Sequence, residues 1–286
     1  VSDVLSPPTA SEPVEAGSQQ GPQPLLELRG VSKFFDGLPA VKQLDFAVRH
    51  GEIVGIIGPN GAGKTTMIGL ISGSLPLSSG QIRYRGLDIS RLPPHRRAYL
   101  GIARTFQVTQ PFKGLSVREN VMIGALFGRR GLKQAAAREA ADAVLERVGL
   151  AAKAHFRADQ LTVADRKRLE LARALALEPE LLLLDEVMAG LTPTEMEQAI
   201  ALIRAIHASG VTVLVIEHVM QAIMGLSQRI MVLHQGTKIA EGPPEQVLAD
   251  QRVIEAYLGE RYAREQQSRL GAARPVPQKE GKEEQG

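Results

Sequence analysis

Apolar residues along this chain fall into two patterns: short continuous runs, and runs at helical spacing. Residues 181–184 are four consecutive leucines, and 211–216 is almost as apolar. Runs this short and continuous mark strands buried on both faces, the usual condition in a parallel sheet. Strands are also expected at 25–31, 44–48, 52–57, 81–85 and 101–105, and a helix at 65–71 after a glycine-rich turn. From 117 to 176, Leu and Val recur at helical spacing among many alanines, which predicts a mostly helical block. A helix should open at Pro193 and another should follow 211–216. Residues 230–233 and 238–241 should pair as a hairpin about Gln235-Gly236-Thr237. Strands alternating with helices predict an α/β fold: a mainly parallel sheet covered on both faces, antiparallel β material near the start, and an inserted helical subdomain.

The two ends differ from this patterned region. Residues 1–24 and 263–286 are rich in Pro, Ser, Glu, Gln and Gly and are expected to be disordered tails. Residues 25–262 then form one domain, with the helical subdomain at about 108–176. No apolar stretch approaches the roughly 20 residues needed to span a bilayer. The opening residues also lack the basic-then-apolar order of a signal peptide. Any membrane role is expected to come through a partner.

Composition narrows the choice only a little. Among 286 residues, 44% are hydrophobic and 23% charged, ordinary for a globular protein. The excess of 34 basic over 31 acidic residues gives a net charge of +3, too slight to argue for nucleic acid. There are no cysteines, which excludes disulfides, thiol nucleophiles and zinc–cysteine sites.

Candidate chemistry starts at Gly58-Pro59-Asn60-Gly61-Ala62-Gly63-Lys64-Thr65-Thr66. Gly, four residues, then Gly-Lys-Thr is the phosphate-loop pattern. Glycines let backbone N–H groups turn inward toward an anion, and the helix that follows adds its positive end. Lys64 would supply a point charge to the β- and γ-phosphates, and the Thr65 hydroxyl would ligate Mg²⁺. The bland alternative, a strand-to-helix turn with a solvated lysine, does not account for the whole pattern. Further on, the four leucines deliver Asp185 and Glu186 to the carboxyl end of a buried strand, where ligands of parallel sheets bind. Asp185 is the expected Mg²⁺ partner, and Glu186 the base or positioning group for the attacking water.

With these motifs in this order, the chain resembles the ATP-binding subunits of ABC transporters over about residues 25–262. The resemblance implies that Phe35 stacks on adenine, leaving Phe34 as the core phenylalanine. It implies that Gln107, closing Gly101-Ile102-Ala103-Arg104-Thr105-Phe106-Gln107, touches Mg²⁺ and the attacking water. It implies that His218, after the 211–216 strand, contacts the γ-phosphate. ATP and Mg²⁺ are the implied ligands. A second cassette in a head-to-tail dimer and transmembrane permease subunits are the implied partners, with a substrate-binding protein acting indirectly. That arrangement would sit on the cytoplasmic face of the membrane, with no nucleic acid involved.

The sequence departs from the family where the signature Leu-Ser-Gly-Gly-Gln is expected. Here it reads Leu161-Thr162-Val163-Ala164-Asp165. Thr162 keeps the hydroxyl that the resemblance assigns to a nucleotide held by the other subunit. Side chains replace both glycines, and Asp165 brings negative charge toward an anion site. Thr162 and Asp165 also read as N-cap and N3 of the following helix, expected at 166–177. Val187 stands where the family often has Pro, and Thr192 where it often has Asp; Thr192-Pro193-Thr194-Glu195 reads as another capped helix start. Glu217-His218-Val219-Met220, Met224-Gly225-Leu226-Ser227 and 253–260 resemble the branched-chain amino acid importer group, with relatives that take amides and organic acids. An exporter or lipid-extraction ATPase of the same fold remains an alternative, as does an ABC protein acting on nucleic acid or the ribosome.

Overall fold

In the computed structural model, residues 23–106 and 111–257 are described. The chain opens with a long antiparallel hairpin, β1 (Leu26–Phe35) and β2 (Leu38–Val48). Leu28, Leu44, Phe46 and Val48 are buried and alternate with exposed or half-buried neighbours, as a sheet with one covered face requires. β3 (Ile53–Ile57) is buried at every position and runs through a glycine turn into α1 (Lys64–Ser72). β4 (Ser79–Tyr84) and β5 (Leu87–Asp88) return to the hairpin and complete an antiparallel sheet in the order β2-β1-β4-β5. The short α2 (Pro94–Tyr99) and β6 (Ile102–Arg104) precede three helices, α3 (Val117–Phe127), α4 (Gln134–Arg147) and α5 (Val163–Leu175). The rest alternates: β7 (Leu181–Asp185), α6 (Pro193–Ala208), β8 (Thr212–Ile216), α7 (Met220–Leu226), β9 (Arg229–His234), β10 (Thr237–Gly242) and α8 (Pro244–Ala249).

The second sheet has the order β10-β9-β3-β8-β7-β6; only β10 is antiparallel to its neighbour. Alternate residues of its strands serve two cores. Leu182, Leu184, Val213 and Val215 face the core built with α3, α5 and α6. Leu181, Leu183, Leu214 and Ile216 face the core shared with α1 and the antiparallel sheet. Because both faces are covered, the strands have no polar side, which is why they read as unbroken apolar runs.

Register decides what this sheet presents. Ile216 pairs with Ile56 on one side and Asp185 on the other, and Arg104 pairs with Leu183. With strands about 4.8 Å apart, the carboxyl ends of β3, β8, β7 and β6 form one edge. The phosphate loop, Glu217 and His218, Asp185 and Glu186, and Thr105 all leave the sheet along that edge.

Several sequence expectations change in detail. The hairpin strands run past 31 and start before 44: β1 passes Gly30 at φ 55° with register shifts, so its alternation breaks while pairing continues. Phe34 is not a core residue; it is 44% exposed, as is Phe35. α5 starts at Val163 rather than 166, because Thr162 caps it. β5 and α2 were not expected. Gln107, residues 1–22 of the first expected tail and the whole of the expected tail at 263–286 lie outside the described residues.

Candidate active site

The phosphate loop takes its shape from glycines that tolerate no replacement. Gly58 and Gly63 have φ of 151° and 103°. A Cβ on Gly58 would lie 2.0 Å from the Leu233 carbonyl oxygen, and one on Gly63 would lie 2.3 Å from that of Ala40. The loop is therefore wedged between the end of β9 and the hairpin. Within it, the Ala62 N–H donates to the Pro59 carbonyl at 3.2 Å. Gly63 is the N-cap of α1 and has no side chain to occupy the first-turn N–H groups, so the helix offers them to an anion. The Lys64 ammonium is buried and donates to the Gly58 and Pro59 carbonyls at 2.6 and 2.8 Å, curled over the loop. Pro59 and Ala62 are buried, Thr66 is half-buried, and Asn60, Gly61 and Thr65 are exposed.

Across the edge, Asp185 is fully buried at the end of β7. Its backbone N–H donates to the Thr105 hydroxyl at 3.2 Å, and Arg104 Nη2 reaches its Oδ2 at 3.1 Å. Burial pushes the Asp185 carboxyl above the usual range, opposed by the charge and hydrogen bond of Arg104 and, more weakly, by Lys64. Oδ1 is buried with no hydrogen-bond partner. An orphaned carboxylate oxygen beside a phosphate loop is the donor a hard cation uses, so the residues fit Mg²⁺. Among the described residues, no three His, Cys, Asp or Glu cluster in a way that could hold a metal ion.

Glu186 follows directly, in the left-handed region at φ 52°, a conformation that costs roughly 1–2 kcal/mol. Its N–H donates to the Ile216 carbonyl at 2.9 Å, which pins the turn to β8. Its carboxylate Oε1 meets His218 Nε2, so the two residues read separately from sequence are in contact. Two groups missed by sequence reasoning join them. Glu217 is 2% exposed and accepts the Met188 N–H at 2.7 Å; Lys167, on α5, donates to the Glu186 carbonyl at 3.1 Å. Burial pushes the Glu217 carboxyl up to about 7, and burial lowers the Lys167 ammonium. Arg104 is the third omission. A charged residue at the end of a buried strand was the available signal for both Arg104 and Glu217.

The remaining candidates lie at the margins. Phe35 is at the turn end of the hairpin, paired with Leu38, with the Lys33 ammonium 5.0 Å from the centre of its ring. Thr162 is exposed at the start of α5, where its hydroxyl accepts the Asp165 N–H at 3.2 Å and donates to Asp165 Oδ2 at 2.9 Å. The Asp165 carboxylate is also ion-paired with Lys153 and is nearly buried, so its charge is already matched inside the helical region. The expected cap is present, with the acid turned toward the hydroxyl and the lysine rather than the N-cap backbone. Thr192 and Glu195 form the full reciprocal capping box at α6.

Known proteins resemble this chain over most of its length. The ABC transporter family profile matches residues 41–189, and that of the branched-chain amino acid ATP-binding cassette transporter matches 237–263. The high-affinity branched-chain amino acid transport ATP-binding protein LivG of Salmonella typhimurium is 40% identical over 256 residues, covering 83% of this chain and 99% of its own length. Its counterpart BraF of Pseudomonas aeruginosa is 38% identical over 252 residues, with the same coverage. An ATP-binding cassette of an ABC transporter, solved in its ADP conformation, superposes with a TM-score of 0.75 at 30% identity, covering 83% of this chain and 99% of that one.

Proposed function

This chain belongs to the ABC transporter ATP-binding family, and from that premise we propose that it energises an importer of branched-chain amino acids or related amides and organic acids. The observation that carries the catalytic part is the shared strand edge. Loop, acid, base candidate and histidine leave three neighbouring parallel strands, β3, β8 and β7, at one level.

Each residue's part follows from its position. The glycine loop and the first turn of α1 bind the β- and γ-phosphates, and Lys64 swings from the Gly58 and Pro59 carbonyls to the same oxygens. Thr65 and Asp185 would hold the metal, together with Gln107. Mg²⁺, when bound, would supply charge neutralisation for the bound triphosphate. Glu186 orients the attacking water and takes its proton; His218 holds the Glu186 carboxylate and faces the γ-phosphate. Phe35 offers a ring face to adenine. Differential affinity of ATP for the open and closed forms of a cassette pair is what moves permease subunits. Among the described residues no helix is long and apolar enough to cross a membrane, so the membrane path belongs to those partners. Thr162 is the residue assigned to the nucleotide of the opposite cassette.

Deleting the gene in its host tests the cargo. Uptake of radiolabelled leucine, isoleucine, valine, or a related amide or organic acid should fall and return with the wild-type gene. Unchanged uptake of all of them rejects the importer assignment.

A further inference from the structure

The segment that carries Glu186 is held by its backbone from two directions. From β8, the Ile216 carbonyl accepts the Glu186 N–H at 2.9 Å, and the buried Glu217 carboxylate accepts the Met188 N–H at 2.7 Å. From α5, the Lys167 ammonium donates to the Glu186 carbonyl at 3.1 Å. The Ala189 N–H closes the turn on the same carbonyl at 3.4 Å. Glu186 stands at φ 52°, where a side chain of its type persists only if the surroundings over-determine it. Glu217 and Lys167 are the side chains that do so, and neither touches the phosphate loop through any bond described above.

We propose that Lys167 and Glu217 are positioning residues that clamp segment 186–188 from α5 and β8 and so fix the direction of the Glu186 carboxylate. This rests on the reading of Glu186 as the group that activates water. Geometry explains why both are needed. Glu217 alone anchors the segment beyond Glu186 and leaves its carbonyl only the long contact with the Ala189 N–H; Lys167 alone holds the carbonyl and leaves the Met188 N–H without its acceptor. Together they stop the peptide flip that would return Glu186 to an ordinary backbone conformation and swing its side chain away from His218. Lys167 also stands about one and a half helical turns beyond the Thr162 cap, so a shift of α5 relative to the sheet acts on Glu186 within the same chain.

The test uses the purified full-length chain, with ATP turnover and MgATP affinity measured separately. Lys167→Met and Glu217→Leu should lower kcat roughly tenfold to a hundredfold, the scale of a misplacement of about 1 Å. MgATP affinity should stay within about twofold, because no phosphate ligand is altered. Glu217→Gln, whose amide oxygen can still accept the Met188 N–H, should recover most of the turnover lost in Glu217→Leu. Wild-type kcat in Lys167→Met overturns the proposal, as does a loss that appears only as raised KM. If Glu217→Leu does not fold, Lys167→Met, at a half-buried position, decides alone. Glu186→Gln separates the two levels: an inactive Glu186→Gln beside a fully active Lys167→Met sinks the clamp alone, whereas an active Glu186→Gln sinks the underlying assignment.

Discussion

His218 Nε2 and Glu186 Oε1 are hydrogen-bonded although the residues are 32 positions apart. Parallel pairing of β7 with β8 in the register Asp185 to Ile216 brings them together. The contact makes the histidine a holder of the carboxylate proposed above to activate water. Replacing Glu186 by Gln preserves the side chain's size and hydrogen bonding but removes its basicity. Turnover should fall by about 10²- to 10⁴-fold, the usual worth of a general base. ATP should still bind, and an ATP-retaining dimer should accumulate on gel filtration. Turnover at the wild-type rate would remove Glu186 from the chemistry.

Arg97 predicts a stability effect remote from the nucleotide. Its guanidinium is 2% exposed and donates to the carbonyls of Leu70 and Ile71 at 2.6 and 2.8 Å, and to those of Leu92 and Ser90 at 2.9 and 3.1 Å. Those first two carbonyls belong to the last turn of α1, the helix that follows the phosphate loop. Burial draws the group down to about 10, so it stays charged at neutral pH. Arg97→Met keeps the apolar stem and removes a donor from four carbonyls, two of them buried and two half-buried, each bond worth about 1 kcal/mol. A loss of roughly 3–5 kcal/mol is expected in urea unfolding. A loss below about 1 kcal/mol would show that water replaces the guanidinium.

Glu217 predicts a pH dependence. Its carboxyl is raised from the ordinary 4.5 to about 7 by burial, so between those values the folded chain binds more protons than the unfolded one. Stability from this group is fully present below about pH 4.5 and is lost as pH rises through about 7. Glu217→Gln cannot ionise and should lack this loss. The melting temperature of wild type relative to Glu217→Gln should therefore fall between pH 5 and pH 8, by an amount equivalent to at most roughly 3 kcal/mol. Parallel curves would mean that Glu217 is ionised at no cost.

Much of this was legible in the sequence for identifiable reasons. Leu181–Asp185 and Thr212–Ile216 declare themselves because a strand covered on both faces has no polar positions. The phosphate loop declares itself because its backbone leaves no room for side chains at Gly58 and Gly63. What stayed hidden depends on partners distant in sequence. Arg97 sits in the proline-rich stretch before β6, where local pattern gives no sign that α1 lies against it. Phe34 looked like core because aromatic residues usually are, yet the hairpin carries it past the covered part of the sheet. Lys167 and Glu217 look like solvated charge beside motifs; only the fold brings one to the Glu186 carbonyl and the other to the Met188 N–H. Sheet order, β9 beside β3 and β8 beside β7, has no local signature.

Calorimetric titration of the purified chain with ATP, with and without Mg²⁺, bears most directly on whether Lys64, Thr65, Asp185 and Glu186 surround one magnesium triphosphate. Binding should be observed with Mg²⁺, weaken when the ion is chelated, and lose its dependence on the ion in Asp185→Asn. An isotherm with no bound nucleotide, or one indifferent to Mg²⁺ in the wild-type chain, would contradict the assignment.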